Sequence, residues 1–322
     1  MNAWQPSGSI ETLKQRARIM QKIRAFFLQR KVWEVETPVL SQSGNPDPNI
    51  ESFMIKASTP DDTGYLHTSP EFAMKRLLSS GSGSIYQLCK VFRAAEVGQF
   101  HNPEFTMLEW YRVAFDYHLL MQEVDALLRE VLHGHIELGE SQFLSYRDTF
   151  QNFVKIDPFT AEIEALRSCV ERANINVEGM THASHDSWLS LIMTHIIEPA
   201  LPINCPVFIY DFPVSQASLA RIRDEEPPVA ERFELYLNGI ELANGFSELT
   251  DVKEQRFRFE QENNQREQNA QQKMKLDSNF LEAMEAGLPE CAGVALGIDR
   301  LIMLAVQASS ITEVMAFDSA RS

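Results

Sequence analysis

Residues 92–111 read FRAAEVGQFHNPEFTMLEWY, and the last seven of them are apolar or aromatic except at Thr106 and Glu109. As a β-strand this run places Phe105, Met107, Glu109 and Tyr111 on one face and Thr106, Leu108 and Trp110 on the other, because side chains alternate with period two. A carboxylate buried in such a row is costly unless a cation, a hydrogen-bond donor or a metal answers it. Two sources of that cation are open. One is a bound ligand; the other is an arginine on a neighbouring strand, forming an internal ion pair.

Working outward, IYQLCKVFR (85–93) predicts a second strand, joined by the polar loop 94–102 to the Glu109 strand as its antiparallel neighbour. Upstream, Ser69-Pro70-Glu71 predicts a helix start, with Ser to cap, Pro at the first helical position and Glu at the positive end of the dipole. That helix runs to about Ser79. Leu13, Ala17, Met20, Ile23 and Phe27 recur at helical spacing within 9–30, and this amphipathic helix leads into a strand, VWEVETPVL, that meets Pro38. Downstream, a helix is expected from Tyr117 to about His133, and the chain through Ala200 reads as mostly helical with no motif. VFIYDFP is a strand; Phe233 begins another that turns at Asn238-Gly239 into IELANGF, with a kink expected at Ala243-Asn244-Gly245. Residues 250–275, charged and glutamine-rich, read as a solvated helix without chemistry, and CAGVALGIDRLIML reads as a short strand, a turn at Gly297 and an apolar helix carrying Arg300. Together these elements predict a single α+β domain over residues 1–322, built on a mainly antiparallel sheet flanked by helices.

The 322 residues, 44% of them hydrophobic, suffice for a substantial core. A net charge of −16 argues against a surface made to hold a long phosphate backbone, and so against tRNA, and leaves a basic protein partner easier to accommodate. Cys89, Cys169, Cys205 and Cys291 lie far apart without zinc or disulfide spacing, so a reducing cytoplasm is expected. No signal-peptide core or membrane-length apolar run is read in the sequence.

Three segments, FRAAEVGQFHNPEFTMLEWY, GIELANGFSELTD and GVALGIDRLIML, in this order and spacing, resemble the three-motif core of class II aminoacyl-tRNA synthetases, most closely the lysyl branch. The opening helix and the strand ending at Pro38 resemble that family's dimer-forming motif, which implies a homodimer. The resemblance implies carboxylate activation on ATP, in which the substrate is already an anion and catalysis is positioning and charge neutralisation. It assigns Arg93 to the α-phosphate and the attacking carboxylate, His101 and Arg300 to the leaving phosphates, and Phe105 to stacking on adenine with Arg300 over the other face. Ala94, Ala95, Asn102, Leu242 and Gly297 would line the nucleotide site, while Glu241 and Glu248 would hold Mg²⁺. Glu109 and Tyr111 would receive the side-chain ammonium of a lysine-type amino acid, Ser69, Pro70 and Glu71 its other amino group, with Asn244, Glu248 and Ala295 completing the pocket.

The first helix begins at Ser9, too early for an anticodon-binding barrel, so no anticodon-binding domain is expected. With FPVSQASLA and NGIELANGFSELTD, the chain resembles the elongation factor P lysyl-lysine ligase family, free-standing relatives of the lysyl synthetases. This implies activation of (R)-β-lysine or lysine and transfer to a lysine side chain of elongation factor P, and ALGIDR in place of the synthetases' GIGIDR puts the Ala295 methyl in the amino-acid pocket. One departure stands out. Where the family continues FRNE and carries a basic loop residue, this chain has Ala94, Ala95 and Gln99, which raises the alternative of a non-catalytic binding or regulatory paralogue.

Overall fold

The structure is a computed structural model that describes residues 4–56, 63–177 and 183–322. The strand around Glu109 spans Glu104–Val113 and pairs antiparallel with Ile85–Phe92 on one side and Cys291–Gly297 on the other. The order continues, still antiparallel, through Ile240–Ser247, Val229–Leu237 and Val207–Pro213. Trp33–Glu34 and Gln142–Ser145 add short parallel edges. The expected α+β class with a mainly antiparallel sheet is what the chain adopts. Its hairpin turn falls at Asn238 and Gly239, whose φ values of 54° and 71° suit the two-residue turn that follows strand twist.

Period-two burial decides which sheet face is covered. Leu108, Trp110, Val294 and Leu296 point toward the first helix (Ile10–Gln29), helix Tyr117–Leu132 and helix Ile298–Val306, and form one core with Ile19, Ile23, Phe26 and Phe27. Each fully buried Ile, Leu or Phe there contributes about 1.5 to 3 kcal/mol. A second core gathers Tyr146, Phe150, Trp188 and Leu189 against Val207, Ile209 and Tyr236. The Glu109 row faces away from the first core. Asp299, at the start of helix Ile298–Val306, ties the layers together: its carboxylate accepts from Arg16 of the first helix at 2.5 Å and from the Thr106 backbone N–H at 2.5 Å, and Arg16 also reaches Thr106 Oγ1 at 2.7 Å.

Several expectations are corrected. VWEVETPVL does not form one strand: only Trp33–Glu34 joins the main sheet, and beyond Pro38, which has no N–H to donate, Leu40–Ser41 joins a separate three-stranded sheet with Met54–Lys56 and Thr63–Leu66. Pro70 is the cap of helix Glu71–Ser79 rather than its first residue, and Ser69 Oγ accepts from the Glu71 N–H at 3.0 Å. The mostly helical middle contains a strand, Gln142–Ser145, and its residues 178–182 lie outside the described part. No kink occurs at residues 243–245, which pair regularly; the irregularity is at Leu242, the extra residue opposite the Leu235/Tyr236 step. Helix Val252–Gln268 is not merely solvated, since Gln255, Phe259 and Arg266 are buried. Arg266 donates to the carbonyls of Gln272 and Asp47 and to Glu51, at 2.7, 3.1 and 2.9 Å. Among the described residues no helix is long and apolar enough to cross a membrane.

Candidate active site

Strand Cys291–Gly297 alternates Gly293, Ala295 and Gly297 on one face with Val294 and Leu296 on the other. The small residues face a cavity of about 310 Å³, while the large ones fill the core, so period two carves a trough between strands Glu104–Val113 and Ile240–Ser247. Register aligns rows across it. Glu109 lies opposite Ala295, and Ala295 opposite Asn244; Tyr111 lies opposite Gly293, and Gly293 opposite Phe246. Gly293 is obligatory, because a Cβ there would sit 2.3 Å from Glu248 Oε1 and 2.4 Å from Tyr111 Cε1. A Cβ at Gly297 would make only ordinary contacts, 3.8 Å or more from its neighbours.

Glu241 and Glu248 are seven apart, an odd spacing that puts two residues of a regular strand on opposite faces. The extra residue at Leu242 reverses the alternation, and both carboxylates reach the cavity wall. Asn244 lies there too, its Oδ1 accepting from Arg232 Nε at 3.1 Å. Arginine has no acceptor, so this bond fixes the amide orientation and leaves the Asn244 NH₂ as the group available to a ligand.

At one end of the cavity Glu109 is 3% exposed. Tyr111 donates its hydroxyl to Oε1 at 2.6 Å and Ser69 its hydroxyl to Oε2 at 2.7 Å, and among the described residues no lysine or arginine forms an ion pair with it. Burial first, and the charge of Glu71 second, push its pKa up to about 7. Beside it Lys75 Nζ stands 2.7 Å from Glu71 and 2.6 Å from Glu248. Burial outweighs the pull of Lys75 and pushes Glu248 up to about 8, and Glu248 Oε1 has no hydrogen-bond partner among the described residues.

The other end is cationic. Arg300 donates to the carbonyls of Glu241 and Phe100 at 2.8 and 3.2 Å and lies 2.6 Å from His101 Nε2. Burial and the Arg300 charge lower the His101 pKa, which keeps the ring neutral so that Nε2 accepts. Arg93 pairs with Glu96 at 3.1 Å, and its guanidinium lies 5.2 Å from the centre of the Phe105 ring. Its buried Nε has no hydrogen-bond partner among the described residues, and Arg93 lies on the cavity wall. Glu241 is 42% exposed at its side chain, 3.7 Å from Arg300. Among the described residues no group of three or more His, Cys, Asp or Glu is placed to hold a metal, so a cation beside Glu241 and Glu248 would take most of its ligands from phosphate and water, which is how Mg²⁺ is commonly bound.

Of the residues assigned by resemblance, Ser69, Glu71, Arg93, His101, Asn102, Phe105, Glu109, Tyr111, Glu241, Leu242, Asn244, Glu248, Ala295, Gly297 and Arg300 all line this cavity. Pro70 faces a neighbouring one, and Ala94, Ala95 and Gln99 line neither; the Ala94 N–H donates to Glu51 O at 2.9 Å, and Gln99 Nε2 to Ser309 O at 2.8 Å. Sequence reasoning missed Glu96, Gly293, Lys75 and Glu262. Two of these had a signal: Gly293 in the G-V-A-L-G alternation, and Lys75 four residues after Glu71, on a helix face otherwise formed by Met74 and Leu78.

A cavity with a cation-seeking carboxylate at one end and arginines at the other suits a nucleotide beside an amine-bearing substrate. The comparison with known proteins agrees. The chain belongs to the tRNA synthetases class II (D, K and N), whose family model matches residues 4–321. It is similar to the elongation factor P–(R)-beta-lysine ligase of Proteus mirabilis, 49% identical over 318 residues that cover 98% of this chain and 97% of that one. The proteins of the same name from Salmonella gallinarum and Histophilus somni are 48% and 49% identical, again over 98% of this chain and 97% of theirs.

Proposed function

We propose that this protein is an ATP-dependent, AMP-forming ligase that activates (R)-β-lysine or lysine and transfers it to a lysine side chain of elongation factor P. The observation that carries the substrate class is Glu109: a carboxylate 3% exposed, on a cavity wall, held by two hydroxyl donors and, among the described residues, by no ion pair. An ammonium group supplies the missing charge. Glu71 and Glu248, with Asn244 offering an N–H donor between them and the trough, suit a second amino group and the carboxylate of the same molecule.

Activation needs no base. The substrate carboxylate attacks the α-phosphorus, the bond to the β-phosphate oxygen breaks, and pyrophosphate leaves with its electron pair. Arg93, with its unpartnered Nε, suits the α-phosphate, and Arg300 with neutral His101 the leaving phosphates. Mg²⁺, when bound, would neutralise phosphate charge beside Glu241 and Glu248. In the second step a neutral lysine amine of the acceptor attacks the acyl carbon; the C–N bond of an amide forms as the acyl C–O bond to the α-phosphate breaks, AMP departs with that electron pair, and the proton the amine loses passes to water.

Nothing on the cavity wall favours a non-catalytic paralogue, since the residues that prompted that alternative, Ala94, Ala95 and Gln99, lie off it. The net charge of −16 supports a protein acceptor with exposed lysines over tRNA, and four free cysteines suit a cytoplasmic location. The test is the intact mass of elongation factor P after incubation with the protein, ATP, Mg²⁺ and each lysine isomer. A gain of one lysyl residue is expected; an unchanged mass with every isomer would sink the proposal.

A further inference from the structure

Arg232 stands on strand Val229–Leu237, off the cavity wall, yet it grips one of the residues on that wall. Register puts Glu234 opposite Asn244 and Arg232 opposite Phe246, so the long Arg232 side chain leans diagonally onto Asn244. All three of its nitrogens are engaged. Nε donates to Asn244 Oδ1 at 3.1 Å, one terminal nitrogen donates to the Gln216 carbonyl at 2.8 Å, and the other donates to Glu234. The guanidinium also lies 4.5 Å from the centre of the buried Phe212 ring. These partners are braced in turn: Glu234 accepts from the Tyr236 hydroxyl, and Asp186 accepts from Ser215 Oγ at 2.8 Å and Gln216 Nε2 at 3.1 Å in the turn Val214–Gln216. Residues 212–216, FPVSQ, thus have a physical task, in which a ring and a carbonyl clamp one arginine.

We infer that Arg232 is a positioning residue for the substrate carboxylate, holding Asn244 with its carbonyl turned away from the trough and its NH₂ turned toward it, and that residues 212–216 are the clamp that holds Arg232. The inference rests on the amino-acid reading of the cavity and deepens it. A freely rotating amide would present its carbonyl to the trough as readily as its NH₂, and a carbonyl oxygen repels a carboxylate. Rotation of Asn244 would set amide N–H against the Arg232 N–H, donor against donor, so the guanidinium selects the one orientation that an anionic group can use. Acting through a neutral amide has a second effect. It supplies a donor without placing a cation beside Glu109, whose carboxylate is left for an ammonium group.

Amino-acid-dependent pyrophosphate exchange with each lysine isomer tests this on the wild type, Arg232→Met, Asn244→Ala and the double variant. Each single variant is expected to raise the amino-acid KM about tenfold, with the ATP KM within about twofold. Because Arg232 acts through Asn244, adding Arg232→Met to Asn244→Ala should raise that KM by no more than about twofold further, whereas independent damage to the fold would multiply the two effects. If Arg232→Met does not fold, Phe212→Leu replaces it, removing the ring beside the guanidinium and leaving each hydrogen-bonding group in place. A rise of about threefold that vanishes in the Asn244→Ala background then supports the role. With an active wild type, an unchanged KM or effects that multiply overturn this inference alone. A wild type that exchanges no pyrophosphate with any lysine isomer overturns the amino-acid reading and this inference with it.

Discussion

At the scale of single residues the site turns on Glu109. Its pKa, raised by burial from an ordinary 4.5 to about 7, means that between these values the folded protein holds a proton that the unfolded chain has lost. That contribution to stability is full below about pH 4.5 and is lost as pH rises through about 7, so the Tm of the ligand-free protein should fall across this window. Binding runs the other way. An ammonium needs the ionised carboxylate, and amino-acid kcat/KM should climb toward pH 7 and level above it, a profile that initial rates would show. Glu109→Gln should flatten that profile and cut amino-acid kcat/KM roughly a hundredfold to several thousandfold, the equivalent of about 3 to 5 kcal/mol for a buried pair broken on one side, with ATP binding unchanged by calorimetry. Gly293→Ala drives a methyl into Glu248 and Tyr111 and should cost about 1 to 3 kcal/mol in thermal unfolding, with the amino-acid KM rising before the ATP KM does.

At the scale of elements, the sequence was most legible where a period was unbroken. Glu104–Val113 pairs without a bulge on both sides and is buried on both faces from Thr106 to Tyr111, so counting alternate residues was enough to read the facing of Glu109. Glu241 in strand Ile240–Ser247 and Glu248 just past its end could be paired only by resemblance, because the bulge at Leu242 that reverses the alternation between them has no composition of its own. Helix Val252–Gln268 was misread for the opposite reason: its buried positions include two polar residues, Gln255 and Arg266, the latter with partners at Asp47 and Glu51 far away in the chain, so no apolar stripe marks the packed face. Arg266 anchors the segment that carries Asn45 and Asp47 to the cavity wall. Arg266→Leu leaves the carbonyls of Asp47 and Gln272 without that donor, and at about 1 to 3 kcal/mol for each buried group left unsatisfied, thermal unfolding should move down by several degrees.

At the scale of the whole molecule, the sheet order could not have been deduced from sequence alone. It sets strand Glu104–Val113 beside Cys291–Gly297, nearly two hundred positions on, and only the tertiary pairing makes one trough of three distant segments. The first helix and the short extended stretches after it leave Leu28, Trp33 and Leu40 exposed at 78, 53 and 56%, apolar surface consistent with the two-fold association proposed by resemblance. Sedimentation should then give a species of twice 36.7 kDa, and a fully active monomer at micromolar concentration would contradict it. Arg16 gives that association a further meaning. From the same helix it reaches Asp299 and Thr106, the one next to Arg300 and the other next to Phe105. The helix is thus a rafter as well as a wall: what presses on its outer side bears on the cavity wall that carries Phe105 and Arg300. Diluting the protein until the copies part should therefore blunt turnover while circular dichroism still reports a folded chain.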